Sequence, residues 1–337
     1  MAAEYADCLL LLQFLCFWFT ITVSVNRRLW SGKRFMENRK IRRIIKIVCL
    51  VVFVACLIPI GQACRESMQS KAQQEALRKM TEVSKEHISQ EREVSETGEV
   101  SVLENGGMPE TVKVEMSAMS QAGADNAETS AVPQTEESMT TGAESPVMLA
   151  KYVDIYQENS DLVGWVSIED MKIDYPILQN ADNEYYLHHD FYGNDSKYGC
   201  LYVKNQADVD TGTNFIVYGH NMKDGSMFGD LDLYQKESFY KEHSRISFDT
   251  LYEERAYDVI AVFRSQVYNA EDDVFKYYQF YEAGTQAEFD DFYNNIKELS
   301  LYDTGVEAKF GDTFLTLSTC AYHVQDGRFV VVAKRIR

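Results

Sequence analysis

The segment TFLTLSTCAYHVQDGRFVVVAK, residues 313 to 334, carries a thiol and a guanidinium at a spacing suited to acyl transfer. Read as two β-runs, it places Leu315 and Leu317 on one face of the first run and Thr316, Ser318 and Cys320 on the other. The cysteine therefore ends a row of small polar side chains, an unusual place for a merely structural one. Seven residues, Ala321 to Gly327, lead on to Arg328. If the two runs pair as a hairpin, Cys320 and Arg328 lie at the same sheet edge. Upstream, NFIVYGHNM sets His220 just past the end of an apolar run. A thiolate that attacks a carbonyl, an imidazole that shuttles the proton and a guanidinium that holds the carbonyl oxygen make a sufficient set for acyl transfer.

Other candidates are weaker. His323 is the rival acid/base, but its place in the hairpin connection favours His220. His188, His189 and Asp190 suggest a metal site, yet no CxxC, HxxxH or second acidic cluster completes a shell, so a structural or groove-edge role is expected, with no metal or cofactor. Cys200, within GCLYV, reads as a core residue, and a Cys200–Cys320 disulfide would block the thiol. The other cysteines (8, 16, 49, 56 and 64) lie in or beside apolar runs, so no disulfide framework follows. Tyr277, Tyr278, Phe280 and Tyr281 read first as a cover over the sheet, with substrate binding as the lesser alternative.

The elements that must position these groups are short and β-rich. Strands are expected near Gly164 to Ile168, Lys172 to Gln179, Gly199 to Lys204, Asn214 to Tyr218, Arg245 to Thr250, Ala256 to Ser265, Thr313 to Cys320 and Arg328 to Lys334. Such a set suggests a mainly-β barrel or sandwich. A helical spacing at Leu149, Tyr152, Val153 and Tyr156 precedes them. A later helix is marked by a capping box at Thr285 and Glu288 and by Phe289, Phe292, Tyr293, Ile296 and Leu299, and it should pack outside the sheet.

Charge divides the chain. The formal net charge is -19, but residues 1 to 60 carry +6, residues 61 to 151 carry -8 and residues 152 to 337 carry -17. A nucleic-acid binder driven by positive charge is excluded. No aromatic residue lies between Phe53 and Tyr152, which confines an expected packed core to residues after about 150. Two apolar runs, Cys8 to Val25 and Ile44 to Ile60, are near the lower length limit for membrane helices, and the basic loop between them should stay cytoplasmic. The expected order is a first membrane segment (1–35), an anchor (36–63), a flexible, partly helical stalk (64–148) and a catalytic domain (149–337). If wholly flexible, the stalk would span roughly 50 Å.

With the chemistry and the elements in place, TLSTC (316 to 320), Arg328 on the following strand and GHN at His220 resemble the signature of sortases, the cysteine transpeptidases of Gram-positive cell surfaces. DLVGWVSIED, KIDYPILQ, EYYLHHDFYGNDSKYGCLYV and the helix of 285 to 300 are similar to class B members, over essentially all of residues 150 to 337. The resemblance implies an eight-stranded β-barrel with flanking helices and a ping-pong reaction at the outer membrane face. Cys320 would attack the threonyl carbonyl of a Pro-x-Thr sorting signal (NPxTx or similar) near the C-terminus of an exported protein. An amine of peptidoglycan or its lipid-linked precursor would resolve the acyl-enzyme. His220 would move the proton, Arg328 would hold the carbonyl oxygen, and Ser318 and Thr319 would touch substrate.

Alternatives stay open at this level: a sortase of another class such as a pilin polymerase, or a non-catalytic surface adhesion module. A papain-like protease is disfavoured, because that family places Cys before His along the chain. The N-terminus also has alternative readings. MENRKIRRIIKIVCLVVFVACLIPIGQA from Met36 is a complete basic-then-apolar anchor by itself, Gly61-Gln62-Ala63 resembles a signal-cleavage site, and Cys64 is a weaker lipid-anchor candidate. Mass spectrometry of the native protein separates the two starts, since any peptide from residues 1 to 35 excludes initiation at Met36.

Overall fold

The computed structural model describes residues 39–96, 146–321 and 324–336. The first apolar run, the stretch 97–145 and His323 lie outside the described residues. Eight strands close into a barrel: β1 (Leu162–Ser167), β2 (Asp174–Gln179), β3 (Leu201–Val203), β4 (Asn214–Gly219), β5 (Arg245–Thr250), β6 (Glu254–Gln266), β7 (Phe314–Cys320) and β8 (Gly327–Arg335). Their spatial order is β1-β2-β3-β4-β7-β8-β6-β5. Each lies where the sequence places a strand, and the closed order decides for a barrel over a sandwich.

Most neighbours are antiparallel, but β2 with β3 and β4 with β7 run parallel. Parallel neighbours need a crossover. The first crosses through α3 (Tyr185–His188), and the second carries β5, β6, the helix α4 (Glu237–Glu242) and α5 (Gln286–Leu299).

Alternation along β7 sorts the core. Leu315 and Leu317 point into the barrel with Phe215 and Val217 of β4 and Val331 of β8. Phe314 faces outward, where α5 covers it together with Ile216, Val330 and Val332. That helix begins at the expected capping box: Thr285 Oγ1 accepts from the Glu288 amide at 3.3 Å, and Glu288 Oε2 accepts from the Thr285 amide at 3.0 Å. Phe289, Phe292 and Ile296 line its buried face. Phe292 stacks on Phe280 at 4.0 Å and meets Phe314 at 5.4 Å.

N-terminal to the barrel, one 58-residue helix, α1 (Arg39–Glu96), includes a stretch apolar and long enough to cross a membrane. Ile47, Leu50, Val51, Phe53 and Ile58 on it are exposed. Its later turns pack on the barrel beside α2 (Ala150–Glu158). There Leu77 joins Tyr152, Ile155, Trp165, Phe191 and Cys200 in a second core cluster. The packed structure thus begins well before residue 150, contrary to the expectation drawn from aromatic content. Leu77, with the partly buried Met80 beside it, seats a helix that other side chains hold by charge. Leu149 caps the other approach, its amide donating to the Leu251 carbonyl at 2.7 Å.

Phe292→Ala should destabilise the domain by about 3–5 kcal/mol through the cavity left between α5 and β7. Urea unfolding of the full chain measures this, and a loss under about 1 kcal/mol would contradict the packing described.

Candidate active site

Strand β7 lies between β4 and β8, so its C-terminal residue has a neighbour on each side. In the parallel β4–β7 ladder, Tyr218 is opposite Ser318 and Gly219 opposite Thr319. His220 and Cys320 are each the next residue along their chains. Adjacent strands lie about 4.8 Å apart, and in-register parallel residues share a face. His220 and Cys320 therefore leave the sheet side by side on its outer face. On the other flank, the antiparallel β7–β8 ladder pairs Cys320 directly with Arg328. The barrel brings the thiol, the imidazole and the guanidinium together at one sheet edge, as the hairpin reading required.

The imidazole is oriented by backbone. His220 Nε2 lies 2.8 Å from the carbonyl oxygen of Leu187, at the end of α3. A carbonyl only accepts, so Nε2 carries the proton and Nδ1 is the nitrogen left to exchange one. The His220 carbonyl accepts from the Phe228 amide at 3.0 Å. Asn221, the next residue, donates through Nδ2 to the Cys320 carbonyl at 2.8 Å and to Asp232 Oδ2 at 3.3 Å. That amide bridges the two strand ends directly. Sequence reasoning placed Asn221 inside a motif without giving it work, because the contact joins positions 99 residues apart. Gly219 is required by close approach: a Cβ there would sit 2.2 Å from Leu201 Cδ2 and 2.9 Å from the Phe228 ring.

Cys320 is a free, half-buried thiol. Cys200 is also free but buried, and burial pushes its thiol up, consistent with the core role expected of it. Behind Cys320 the polar row is spent on the protein itself. Thr316 donates to Asn214 Oδ1 at 2.8 Å, the Ser318 hydroxyl meets the Tyr277 hydroxyl at 2.7 Å, and Thr319 donates to the Gly219 carbonyl at 2.8 Å. Ser318 and Thr319 are 1% and 2% exposed. The Ser318 hydroxyl is thus bonded on the outer face, under the Tyr277 segment, and the Thr319 hydroxyl on the opposite face of the strand.

Arg328 donates through Nη1 to the carbonyls of Asp326 (3.2 Å) and Gly327 (2.9 Å). Those bonds fix one arm of the guanidinium and leave its other donors for an oxygen outside the strand. Two tyrosines border the site: Tyr202, which the sequence did not single out, and Tyr277 of the covering stretch. Tyr202, opposite Tyr218 on β3, and Tyr277 both lie within electrostatic reach of Cys320 and Arg328. Burial, with Glu184 adding to it, pushes the Tyr202 phenol up to about 12 against the pull of Arg328. Burial also raises Tyr277. Both are neutral walls and not bases. His188, His189 and Asp190 form no metal shell, and no metal-binding group of side chains occurs among the described residues. Instead the His189 ring stacks on Tyr185 at 4.0 Å, and Asp190 holds the Tyr192 and Asn194 amides.

Comparison with known proteins points to one family. A family model for the sortase domain matches residues 166–336. Sortase B of Listeria monocytogenes is 34% identical over 191 residues, 54% of this chain and 73% of that protein. Among solved structures, Bacillus anthracis sortase B in complex with AAEK1 is 34% identical with a TM-score of 0.50, over 58% of this chain and 90% of that one. A Staphylococcus aureus sortase B–substrate complex is 29% identical with a TM-score of 0.51, over 56% and 86%. A closed eight-stranded barrel, a cysteine at the end of β7 and these relatives lead to one conclusion: the chain belongs to the sortase family of cysteine transpeptidases, within class B.

Proposed function

We propose that Cys320, His220 and Arg328 carry the transpeptidation, and that the donor is a Pro-x-Thr sorting signal, NPxTx-like, near the C-terminus of an exported protein. The observation that carries this reading is the common edge of three adjacent strands, where β4 and β8 deliver an imidazole and a guanidinium to either side of the β7 thiol. Cys320 passes its thiol proton to His220 Nδ1, and the thiolate attacks the threonyl carbonyl, so that a C–S bond forms as the C–N bond breaks. The leaving amine takes its proton from His220 Nδ1, while Nε2 stays on the Leu187 carbonyl. An amine of peptidoglycan or its lipid-linked precursor then attacks the thioester. It gives its proton to Nδ1, and the C–S bond breaks. Arg328 stabilises the oxygen that gains charge in both halves.

The same reading places the basic segment before Ile44 on the cytoplasmic side, the apolar part of α1 in the plasma membrane and the barrel outside it. Support comes from the row of exposed apolar side chains on α1 and from the basic residues that precede them.

The test is cleavage of a fluorogenic Pro-x-Thr peptide by the detergent-solubilised full chain. Cys320→Ala should abolish turnover, and His220→Ala and Arg328→Ala should each reduce it roughly 100-fold or more without a change in thermal unfolding. His323→Ala should keep most activity. Unchanged turnover in Cys320→Ala would sink the mechanism, and the reverse pattern for the two histidines would reassign the base.

A further inference from the structure

The loop that follows His220, residues 221 to 228, is gripped from outside the barrel by α1. Ser67, Ser70, Gln74, Leu77 and Thr81 recur on α1 at alternating three- and four-residue spacing and form its shielded stripe against the domain. Two cations flank this stripe, seven residues apart and so on the same side of the helix. Lys71 Nζ pairs with Asp224 Oδ2 at 3.2 Å. Asp224 sits at the loop's tip with its carboxylate largely buried, and its Oδ1 also accepts from the Ser226 hydroxyl at 2.6 Å and the Ser226 amide at 3.2 Å. Arg78 reaches the loop's base through β2. Its Nε donates to the Asp174 carbonyl at 3.1 Å, its Nη2 donates to the Lys172 carbonyl at 3.0 Å, and its guanidinium lies 5.7 Å from the centre of the Tyr175 ring.

Both grips converge on the strand ends. The Tyr175 hydroxyl accepts from the Met227 amide at 3.1 Å. Met227 is a buried non-glycine residue held at φ 53, a conformation that persists only where its surroundings enforce it. It pairs in an isolated bridge with Asn221, whose amide holds the Cys320 carbonyl, and the next amide, Phe228, holds the carbonyl of His220. Lys172, whose carbonyl Arg78 fixes, sends its own ammonium to the Asp224 carbonyl at 2.8 Å.

We infer that Lys71 and Arg78 of α1 are positioning residues for His220, so that the helix continuous with the apolar anchor takes part in setting the active-site geometry. The inference rests on His220 being the acid/base of the proposed reaction. A side chain that touches no reacting atom acts here by fixing the loop that begins at the imidazole. Small displacements of such a group are costly, since a shift of about 1 Å in a reacting array can remove two orders of magnitude in rate. The Lys71 pair is half open to solvent on the lysine side, and such pairs contribute little to global stability. Positioning and stability are therefore separable by experiment.

The full chain in detergent micelles provides the test, with the Pro-x-Thr peptide as substrate and four variants: Lys71→Ala, Arg78→Ala, Lys71→Arg and His220→Ala. The expected result is a roughly tenfold fall in kcat for each alanine variant of α1, with KM within about twofold. The melting temperature of Lys71→Ala should be unchanged, and Lys71→Arg should restore kcat. Wild-type kcat in both alanine variants, beside an inactive His220→Ala, overturns the inference and leaves the proposed mechanism standing. Loss of kcat in step with melting temperature, without rescue by Lys71→Arg, also overturns it. An active His220→Ala removes the proposed acid/base and the inference with it.

Discussion

The parallel pairing of β4 with β7 is the constraint on which the site depends. Their register sets Gly219 opposite Thr319, and the residues one step further, His220 and Cys320, inherit that alignment. A slip of one residue would turn one of the two side chains into the barrel. Parallel pairing admits no short turn, so the register must be held by packing. Leu315 and Leu317 interlock with Phe215 and Val217 inside, while Phe314 and Ile216 lie under α5 outside. Both faces of the pair are buried, which makes slippage expensive over its whole length.

Buried polar groups then add direction to what apolar packing holds in place. Thr316 to Asn214 and Thr319 to Gly219 are hydrogen bonds that cross from β7 to β4, and Ser318 to Tyr277 ties the same row to the covering segment. Each buried hydroxyl would cost about 1–3 kcal/mol if left without its partner, so these bonds penalise any other register more than they stabilise this one. The small polar row before Cys320 is thus the means of fixing a thiol at a strand end. Beyond the ladder, Asn221 carries the same logic outward, joining the residue after His220 to the cysteine's own carbonyl.

How much of this was legible in the sequence depended on range. The β7–β8 hairpin could be read because Cys320 and Arg328 are separated by a short connection, and α5 could be read because its capping box and aromatic spacing are local. All eight strands could be placed from their β-rich runs, but not the barrel order, since β4 meets β7 across about a hundred residues and no local pattern encodes that pairing. The hydrogen bonds of Ser318 and Thr319 were out of reach for the same reason, as their partners come from distant segments. The role of α1 was hidden by composition. A face of Ser, Gln and Thr with only Leu77 and Met80 apolar has the character of a solvated stalk, and the acidic and aromatic groups waiting on the barrel make it a docking face.

The central claim is that Cys320, aligned by these ladders, forms the covalent intermediate. Intact-mass and peptide-mass measurement of the full chain, quenched with acid during turnover of a Pro-x-Thr peptide without added amine, tests it most directly. The account predicts a thioester adduct on the peptide containing Cys320, with the mass of the substrate fragment ending in threonine. Cleavage that proceeds with no adduct, or with an adduct confined to Cys200 or Cys64, would contradict it.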